Sequence, residues 1–532
     1  MLSLSLASGQ QIPLIHEVHA DDRYLLNTLE GEWFEILSTF PWQDYRDVAA
    51  TYYDALYAFN LAECDDAADE PCERALESQD EAKQRLLFAR ATLQPGAAVL
   101  YHPPVAETPA ATVDPLQLAP GVVPPRLVGR KPKCFFSLLK SFIGATLMGF
   151  PAEPELVYRL LKTNPSFARV CGFRPKEKDK APAYHYGHIP SLRKLEQFDQ
   201  VMRQAGLWAQ LKRAEVRTNL QTGVIQPEPE LVGDTTHYRA YSSFETVTYP
   251  DEHGQAQKKS QSKLTKVCRC SDRSTCAHEW VLCDNGAGTI VKSKTKMIWG
   301  HKASILGLPQ QGVALDAVAL SDGATHDGQT FLPHVHHVFE AYPQLRGNVK
   351  RVLYDSACDD ATLKQRFRDE LGVELKASFN PRRTQPITTA LPRGMAQITP
   401  YGVPICRAGH ELDYQGIRYR NETFIYRAPC NDEGVAVCLS CPERAHCCHR
   451  SNQSGRTVTV PFTSLAHIDP SDPPMAKRFK AIMSRRPAVE RMIKRLKCDL
   501  GDERLSKRGN ESFQAYLDKT MISYHLLLRH LH

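Results

Sequence analysis

A change of residue pattern near residue 216 constrains the fold of this 532-residue chain more than any other feature. Before it, apolar residues recur at spacings of three and four, which is typical of amphipathic helices. After it come short runs rich in β-branched residues, such as TVTYP, GVALDAVALS and NVKRVLYDS, which predict strands. A helix-like run, a strand-like run and a further helix follow. This order predicts an α/β fold, a mixed sheet with helices packed on it.

The same patterns divide the rest of the chain. Residues 1–93 look like an N-terminal helical unit of unknown role, and the Pro-rich residues 94–125 like a linker or an extended strap. The helical and basic residues 126–215 suit either helix-turn-helix DNA binding or a packing bundle. The remaining boundaries are 216–380 for the first part of the core with a Cys/His hairpin at 265–285, 381–478 for a Cys-rich insertion, and 479–532 for the C-terminal helical part of the core.

Charge is distributed unevenly along the chain. The formal net charge is +6, and Lys and Arg concentrate in residues 126–140, 256–302 and 475–508. Separated basic stretches on a large protein are the electrostatic signature of a polyanion binder, although each one alone is equally typical of a solvated helix face. We therefore expect a nucleic-acid partner.

No segment predicts a membrane span. The most apolar run, residues 134–150, is short and contains Lys140, so it predicts a buried helix. The N-terminus lacks the basic stretch and cleavage site of a secretion signal, and we expect a cytoplasmic protein. Its sixteen cysteines would then be reduced, and those that cluster would be metal ligands or inert thiols.

Two aspartates end strand-like runs. Asp234 follows Leu231-Val232, and Asp355 follows Val352-Leu353-Tyr354 directly before a predicted helix. A carboxylate at a strand end of an α/β sheet lies where such folds build their sites, and Mg²⁺ prefers oxygen ligands. Taken singly, each aspartate is explained at least as well by a turn that starts at that residue. Asp359 and Asp360, a few residues later, are predicted to cap the next helix.

Glu490 lies on a helix predicted from about 487 to 499, with Pro487 at its first position. Val489, Met492, Ile493, Leu496 and Leu500 form its apolar stripe. Lys494 and Lys497 follow Glu490 on one face, which is typical of a salt-bridged surface or of a metal ligand beside phosphate-binding cations. Three carboxylates from two strands and a distal helix are one way to hold two divalent ions about 3.5–4 Å apart.

Residues 216–531 resemble the DDE transposases of bacterial insertion sequences, in the branch marked by a Y-R-E-K signature. DTTH at 234–237 is similar to the first-aspartate motif, and LYDSACDD at 353–360 to the second. WGHKASI at 299–305 resembles the family's aromatic-Gly-x-Lys strand, and ATHDGQTF at 324–331 its His-Asp segment. Arg486, Glu490 and Lys497 fit the third motif, in which Met483 stands where tyrosine is usual. The helical segment from residue 126 and the closing helix also resemble this family.

The resemblance implies a ribonuclease-H-like core that cuts double-stranded DNA at terminal inverted repeats and joins the 3′-hydroxyl ends to target DNA. Asp234, Asp355 and Glu490 would carry Mg²⁺ or Mn²⁺. Phosphate contacts would come from Arg486, Lys494, Lys497 and Lys302, and His237 would orient water or phosphate or merely end a strand. A homodimer in the DNA complex, associated with a bacterial nucleoid, is also implied.

Two cysteine clusters suggest zinc in addition. Cys430, Cys438, Cys441 and Cys447 have the spacing C-x7-C-x2-C-x5-C of a zinc-ribbon-like site, with Cys406 as an alternative to Cys430. The second cluster offers Cys268, Cys270, Cys276 and Cys283 as ligands, with His278 among them. Its alternative is a hairpin of reduced thiols that touches DNA.

Three functions remain open on these patterns. The first is an active transposase. The second is a zinc-containing DNA-binding protein that descends from a transposase and has no catalytic activity, and the third is a metal-dependent nuclease without strand transfer.

Overall fold

The computed structural model describes residues 2–5, 11–14, 32–65, 78–91, 99–101, 133–174, 187–250, 255–268, 276–293, 296–380, 385–447 and 455–532. Within them the fold is mixed α/β, as predicted. The helices are, in chain order, α1 (Glu32–Thr39), α2 (Arg46–Asp65), α3 (Gln79–Ala91), α4 (Phe135–Leu147), α5 (Pro154–Thr163), α6 (Pro165–Val170), α7 (Leu192–Gln204), α8 (Leu207–Gln221), α9 (Asp327–Ala341), α10 (Pro343–Arg346), α11 (Ala361–Arg366), α12 (Arg444–Cys447), α13 (Lys477–Met483), α14 (Ala488–Lys494) and α15 (Asn510–Leu531).

The strands are short, with two longer ones at the centre of the main sheet. They are β1 (Leu2–Ser5), β2 (Gln11–Leu14), β3 (Phe173–Arg174), β4 (Gly187–His188), β5 (Glu230–Arg239), β6 (Phe244–Pro250), β7 (Ala256–Ser262), β8 (Leu264–Lys266), β9 (Trp280–Leu282), β10 (Gly288–Ser293), β11 (Lys296–Leu308), β12 (Val313–Ala319), β13 (Arg351–Tyr354), β14 (Glu374–Ala377), β15 (Met395–Ile398), β16 (Pro404–Cys406), β17 (Asp413–Arg418), β18 (Thr423–Arg427) and β19 (Thr457–Pro461).

The main sheet has the strand order β12–β11–β5–β13–β14, and β10 pairs with the first part of β11. β11 is antiparallel to both of its long neighbours, β5 and β12. β13 is parallel to β5, and β14 is parallel to β13. Helix α9 connects β12 to β13, and α11 lies between β13 and β14. The central position of β5 places the predicted first aspartate in the middle of the sheet.

Helices cover both faces of this sheet. Side chains on successive strand residues point to opposite sides, so each strand can contact a different helix on each face. At Gly233 an added Cβ would lie 2.0 Å from Phe331 of α9. At Gly307 it would lie 2.4 Å from the sulfur of Met492 on α14. Gly233 and Gly307 thus let α9 and α14 approach the strands closely from opposite faces.

A second core is helical. It combines α1 and α2 with α4 to α8, so the N-terminal segment and residues 133–211 contribute to the same core. The expected boundary at 93–126 therefore does not separate two cores in the described chain. Helix α4 confirms the buried helix predicted for 134–150, and even Lys140 is only 2% exposed. Of the expected linker, residues 99–101 are described, and their backbone pairs with the end of β12.

Residues 385–447 and 455–476, between β14 and α13, form a small β-rich unit with its own core. β15 pairs with β16, and β17, β18 and β19 form a three-stranded sheet. Phe424 and Tyr426 of β18 are fully buried in this unit. Among the described residues, no helix is both long enough and apolar enough to cross a membrane.

Candidate active site and metal centres

Asp234 and Asp355 lie on neighbouring parallel strands. The register between β13 and β5 pairs Leu353 with Val232, so Asp355, two residues further, extends toward Asp234, whose pKa the charge of Asp355 raises. Asp355 remains extended, with φ −81° and ψ −177°, and its carboxylate accepts a hydrogen bond from the Ala357 amide at 2.9 Å. Adjacent strands are about 4.8 Å apart, so the two carboxyl groups share one face at close range.

Glu490 reaches the same place from α14. The helix begins after Pro487, continues to Lys494 and is followed by a π-helical turn at Arg495–Asp499, which together match the helix predicted for 487–499. Val489, Met492 and Leu496 are buried against the sheet, whereas Glu490 is 62% exposed. The helix therefore holds Glu490 at the rim of the face that carries Asp234.

Arg486 connects two of these carboxylates. Its Nη2 donates to Asp234 Oδ2 at 2.5 Å, and its Nη1 donates to Glu490 Oε1 at 2.9 Å. Arg486 precedes the helix, as expected from Pro487, and its forked guanidinium can bind two acceptors at once. The contact brings Asp234 and Glu490 within the span of one guanidinium group.

The surroundings of Asp234 disfavour its charge. Burial raises the pKa of this carboxyl from 3.8 to about 6, although Arg486 and the Thr235 amide favour the ionised form. The negative charges of Asp355 and Asp327 raise the pKa further. A cluster of like charges that lacks full compensation is suited to a cation.

Asp327 is a fourth carboxylate at this site, and the sequence pattern did not single it out. It is the first residue of α9, accepts a hydrogen bond from the Thr235 hydroxyl at 2.9 Å and forms an ion pair with Lys302. Thr235 and Asp234 are consecutive on β5 and point to opposite faces. The signal available in the sequence was the His-Asp segment at 324–331.

The predicted phosphate-binding residues differ in their surroundings. Lys302 also donates to Thr325 O at 2.9 Å, so its ammonium is engaged within the fold. Lys497 donates to the backbone oxygen of His237 at 2.7 Å, three residues beyond Asp234 on β5. Lys494 is exposed on α14, one turn after Glu490, and His237 is half-buried. Of the predicted phosphate-binding cations, Lys494 and Arg486 therefore lie nearest to Glu490 along the chain.

The Cys/His hairpin brings together two cysteines and a histidine. The ligand atoms of Cys268, Cys276 and His278 all lie within 4.8 Å of one another, and the two sulfurs are 3.6 Å apart. Slight desolvation raises the pKa of the Cys276 thiol, but hydrogen bonds with His278 and Cys268 outweigh it and lower the pKa to about 7. This group could bind a metal such as zinc. Of the other predicted ligands, Cys283 is not in the group and Cys270 lies outside the described residues.

In the insertion, Cys438, Cys441 and Cys447 line one cavity, and Cys406 of β16 lines it with them. Burial raises the pKa of Cys447, and the neighbouring thiols of Cys406, Cys441 and Cys438 raise it further. Cys430 is exposed and does not line this cavity. In the described part of the chain, only the hairpin group has all its ligand atoms within 4.8 Å of one another.

Comparisons with known proteins add little. No protein-family model and no curated protein sequence matches this chain. One similar solved structure is a cryo-EM structure of the piggyBac transposase synaptic complex with hairpin DNA, at 9% sequence identity and a TM-score of 0.25. The alignment covers 63% of this chain and 57% of that one. A TM-score this low does not support an inference about shared function.

Proposed function

We propose that this chain is a DNA transposase of the DDE type, which cuts the ends of its element and joins them to target DNA. The observation that carries the proposal is that three carboxylates converge on one face of the sheet, although their oxygens do not all lie within 4.8 Å of one another. Asp234 and Asp355 come from adjacent parallel strands, and Glu490 shares a guanidinium group with Asp234. Asp234 and Asp355 are 121 positions apart in the chain, and Asp355 and Glu490 are 135 positions apart. All three thus contribute to one acidic site.

The topology supports a ribonuclease-H-like core. A long central strand carries the first aspartate, and the antiparallel strands β11 and β12 follow it. A helical crossover then leads to the parallel strand β13, directly after which the second aspartate lies. Glu490 enters from a helix on the face of the sheet that Asp234 shares. This arrangement agrees with the resemblance of residues 216–531 to DDE transposases.

The donor set fits a hard divalent cation, because carboxylate oxygens suit Mg²⁺ and Mn²⁺ better than softer metals. When bound, two such ions would supply an activated nucleophile and stabilise the leaving oxygen of the phosphodiester. Asp234, Asp355 and Glu490 would hold them. The raised pKa of Asp234 agrees with this assignment, because burial, and after it the charges of Asp355 and Asp327, disfavour an ionised carboxyl that a bound cation would stabilise.

The cations of the chain would bind DNA around the carboxylates. Arg486 has a planar fork of the kind that suits a phosphate, and its contacts with Asp234 and Glu490 hold that fork at the site. Lys494 is an exposed point charge one turn from Glu490. Lys497 is held against β5 by the His237 carbonyl. Lys302 is paired with Asp327 and therefore fixes α9 against β11. Its effect on the carboxylate site is indirect.

The test is cleavage of plasmid DNA that carries the sequences flanking the coding region, with Mg²⁺ or Mn²⁺. Asp234→Asn, Asp355→Asn and Glu490→Gln should each abolish cleavage. Asp360→Asn is the matched control, because Asp360 follows Asp355 by five residues and caps α11, where asparagine caps equally well. If the three variants cut as the parent does, the assignment is wrong.

Product analysis separates the remaining possibilities. Joining of cut ends to a second plasmid supports transposition, whereas cleavage without joining identifies a metal-dependent nuclease. DNA binding with a steep salt dependence and no cleavage by the parent would identify a non-catalytic DNA-binding protein.

A further inference from the structure

We propose that Cys268, Cys276 and His278 bind a zinc ion at the loop end of the β8–β9 hairpin. This site is separate from the carboxylate site, and the proposal does not depend on DNA cleavage. Its ligand set differs from the four cysteines expected from the sequence, because His278 joins the group, Cys283 is not part of it and Cys270 lies outside the described residues.

The distances between the ligand atoms agree with this assignment. Two thiolates on a tetrahedral zinc ion, with Zn–S bonds of about 2.3 Å, lie roughly 3.8 Å apart. The sulfurs of Cys268 and Cys276 are 3.6 Å apart, and the nearest nitrogen of His278 lies within 4.8 Å of both. A disulfide would instead require about 2.05 Å between the sulfurs. The thiols are therefore spaced as the two ligands of one ion.

The hairpin explains why these residues meet. β8 and β9 are antiparallel, and Lys266 pairs with Trp280 at the end where the chain leaves the strands. Cys268 follows Lys266 by two residues, and His278 precedes Trp280 by two. Lys266 also donates to Cys276 O at 2.5 Å and lies 4.8 Å from the centre of the Trp280 ring. The strand pairing thus positions the ligands before any metal binds.

Cys283 lies at the opposite end of the same hairpin. Leu282 pairs with Leu264, and the Cys283 amide donates to Lys263 O at 2.8 Å. Three residues of strand, about 10 Å, separate this end from Trp280. Cys283 has the chemistry of a zinc ligand and the same half-exposed character but the wrong position, which makes it the matched control for the site.

Helix α3, from the N-terminal part of the chain, contacts the residues that directly follow this site. Arg85 of α3 forms an ion pair with Glu279 at 2.7 Å and donates to Trp280 O at 3.1 Å. Glu279 and Trp280 directly follow the ligand His278. The zinc ion would therefore hold in place the surface on which α3 docks. The three ligands among the described residues leave one tetrahedral position for water or another side chain.

Zinc content of the full-length chain, purified with zinc present and measured by elemental mass spectrometry, tests the site. Cys276→Ser and His278→Ala should each lower zinc by one ion per chain relative to the parent. Cys283→Ser should retain the parental value. The measurement is a difference, so zinc bound by the insertion cysteines does not affect it. Unchanged zinc in both ligand variants, or equal loss in Cys283→Ser, would overturn the proposal.

Cobalt substitution provides a second measurement that does not rely on removing a ligand. His278→Cys keeps three donors, so this variant should still bind Co²⁺ and show stronger thiolate-to-cobalt absorption than the parent, from one added thiolate. Cys283→Ser should show the parental spectrum. An absorption in His278→Cys equal to that of the parent would contradict the ligand role of His278.

Discussion

Asp234 is held in conflicting surroundings. Its carboxylate accepts hydrogen bonds from Arg486 and from the Thr235 amide, yet burial and the charges of Asp355 and Asp327 raise its pKa to about 6. At neutral pH the folded protein therefore carries this charge at a cost in free energy. A group whose pKa is raised on folding stabilises the fold below its unfolded pKa, and this contribution is lost as pH rises through the folded pKa.

Asp234→Asn should accordingly increase the free energy of unfolding at pH 7.5. The rise in pKa from 3.8 to about 6 sets the gain at about 1–3 kcal/mol, at ~1.4 kcal/mol for each pKa unit. The gain should shrink between pH 6 and pH 4, because the parental carboxyl regains its proton in the folded state over that range. Urea unfolding at several pH values measures it, with Asp360→Asn as the control. A variant less stable than the parent at pH 7.5 would contradict this account.

For single residues, the sequence predicted those roles that depend on neighbours in the chain. Asp355 ends a strand, and Asp360 caps the following helix by accepting from the Leu363 amide at 2.9 Å, as predicted. Asp359 is not the N-cap of that helix; its carboxylate pairs with Lys364 at 2.7 Å and accepts a hydrogen bond from the Asn380 amide at 3.1 Å. Asp327 could not be distinguished from an ordinary acid in the first turn of a helix. Its partners Thr235 and Lys302 are 92 and 25 residues away, and only the sheet brings them to it.

The helices α9 and α14 pack at very short distances against the strands that carry the site. The apolar stripe of α14 was predictable because a helix repeats every 3.6 residues, and Val489, Met492, Leu496 and Leu500 are buried as expected. The π-helical turn that follows α14 has no such periodic signal. Nor does the sequence reveal that Gly233, next to Asp234, accommodates the ring of Phe331.

Gly233→Ala should destabilise the fold and reduce cleavage together. The added Cβ would lie 2.0 Å from the Phe331 ring, which is fully buried. Overpacking of this kind costs about 1–3 kcal/mol. Because Phe331 belongs to α9, its displacement also moves Asp327 relative to Asp234. The free energy of unfolding and the cleavage rate are the measurements.

Gly347→Ala is the control for this change. Gly347 has φ −75° and no atom within 4 Å of an added Cβ, so alanine should be tolerated there. Equal stability of Gly233→Ala and Gly347→Ala would show that α9 can shift without cost, and would disprove the close contact.

Across the whole molecule, a buried ion cluster joins the two cores. Lys212 of α8 lies 2.7 Å from Asp316 of β12 and 2.9 Å from Asp518 of α15. All three side chains are at most 3% exposed. His334 of α9 contacts Asp316 at 3.3 Å and extends the cluster into the sheet. The helical region, the sheet and α15 are therefore coupled through one ammonium group.

Lys212→Met should destabilise the whole chain by about 3–5 kcal/mol, since it leaves two buried carboxylates without their cation. Thermal or urea unfolding should show one transition at lower stability, as the cluster spans both cores. Lys480→Met, at an exposed position on α13, should change stability little. Should the two variants unfold alike, the cluster contributes nothing measurable to stability.

The arrangement of the cores could not be predicted from the pattern alone. Periodicity indicated helices in residues 1–93 and 126–215, but not that α1 and α2 complete the core of α4 to α8. The polar residues of α15 likewise gave no sign in the sequence that this helix is buried. Gln514 and Lys519 bind backbone oxygens of Ala317 and Ala152, partners that lie almost 200 and more than 360 residues earlier in the chain.

Helix α15 has a consequence for how the chain is made. Phe513, Leu517 and Met521 belong to the sheet core, whereas Ala515 and Ile522 belong to the helical core. Every other described element leaves the ribosome before residues 510–531 do. Neither core is complete until that helix emerges, so the nascent chain exposes two apolar surfaces until residues 510–531 have been made. Apolar surface exposed in this way promotes aggregation, and we expect chaperones to bind the chain during translation.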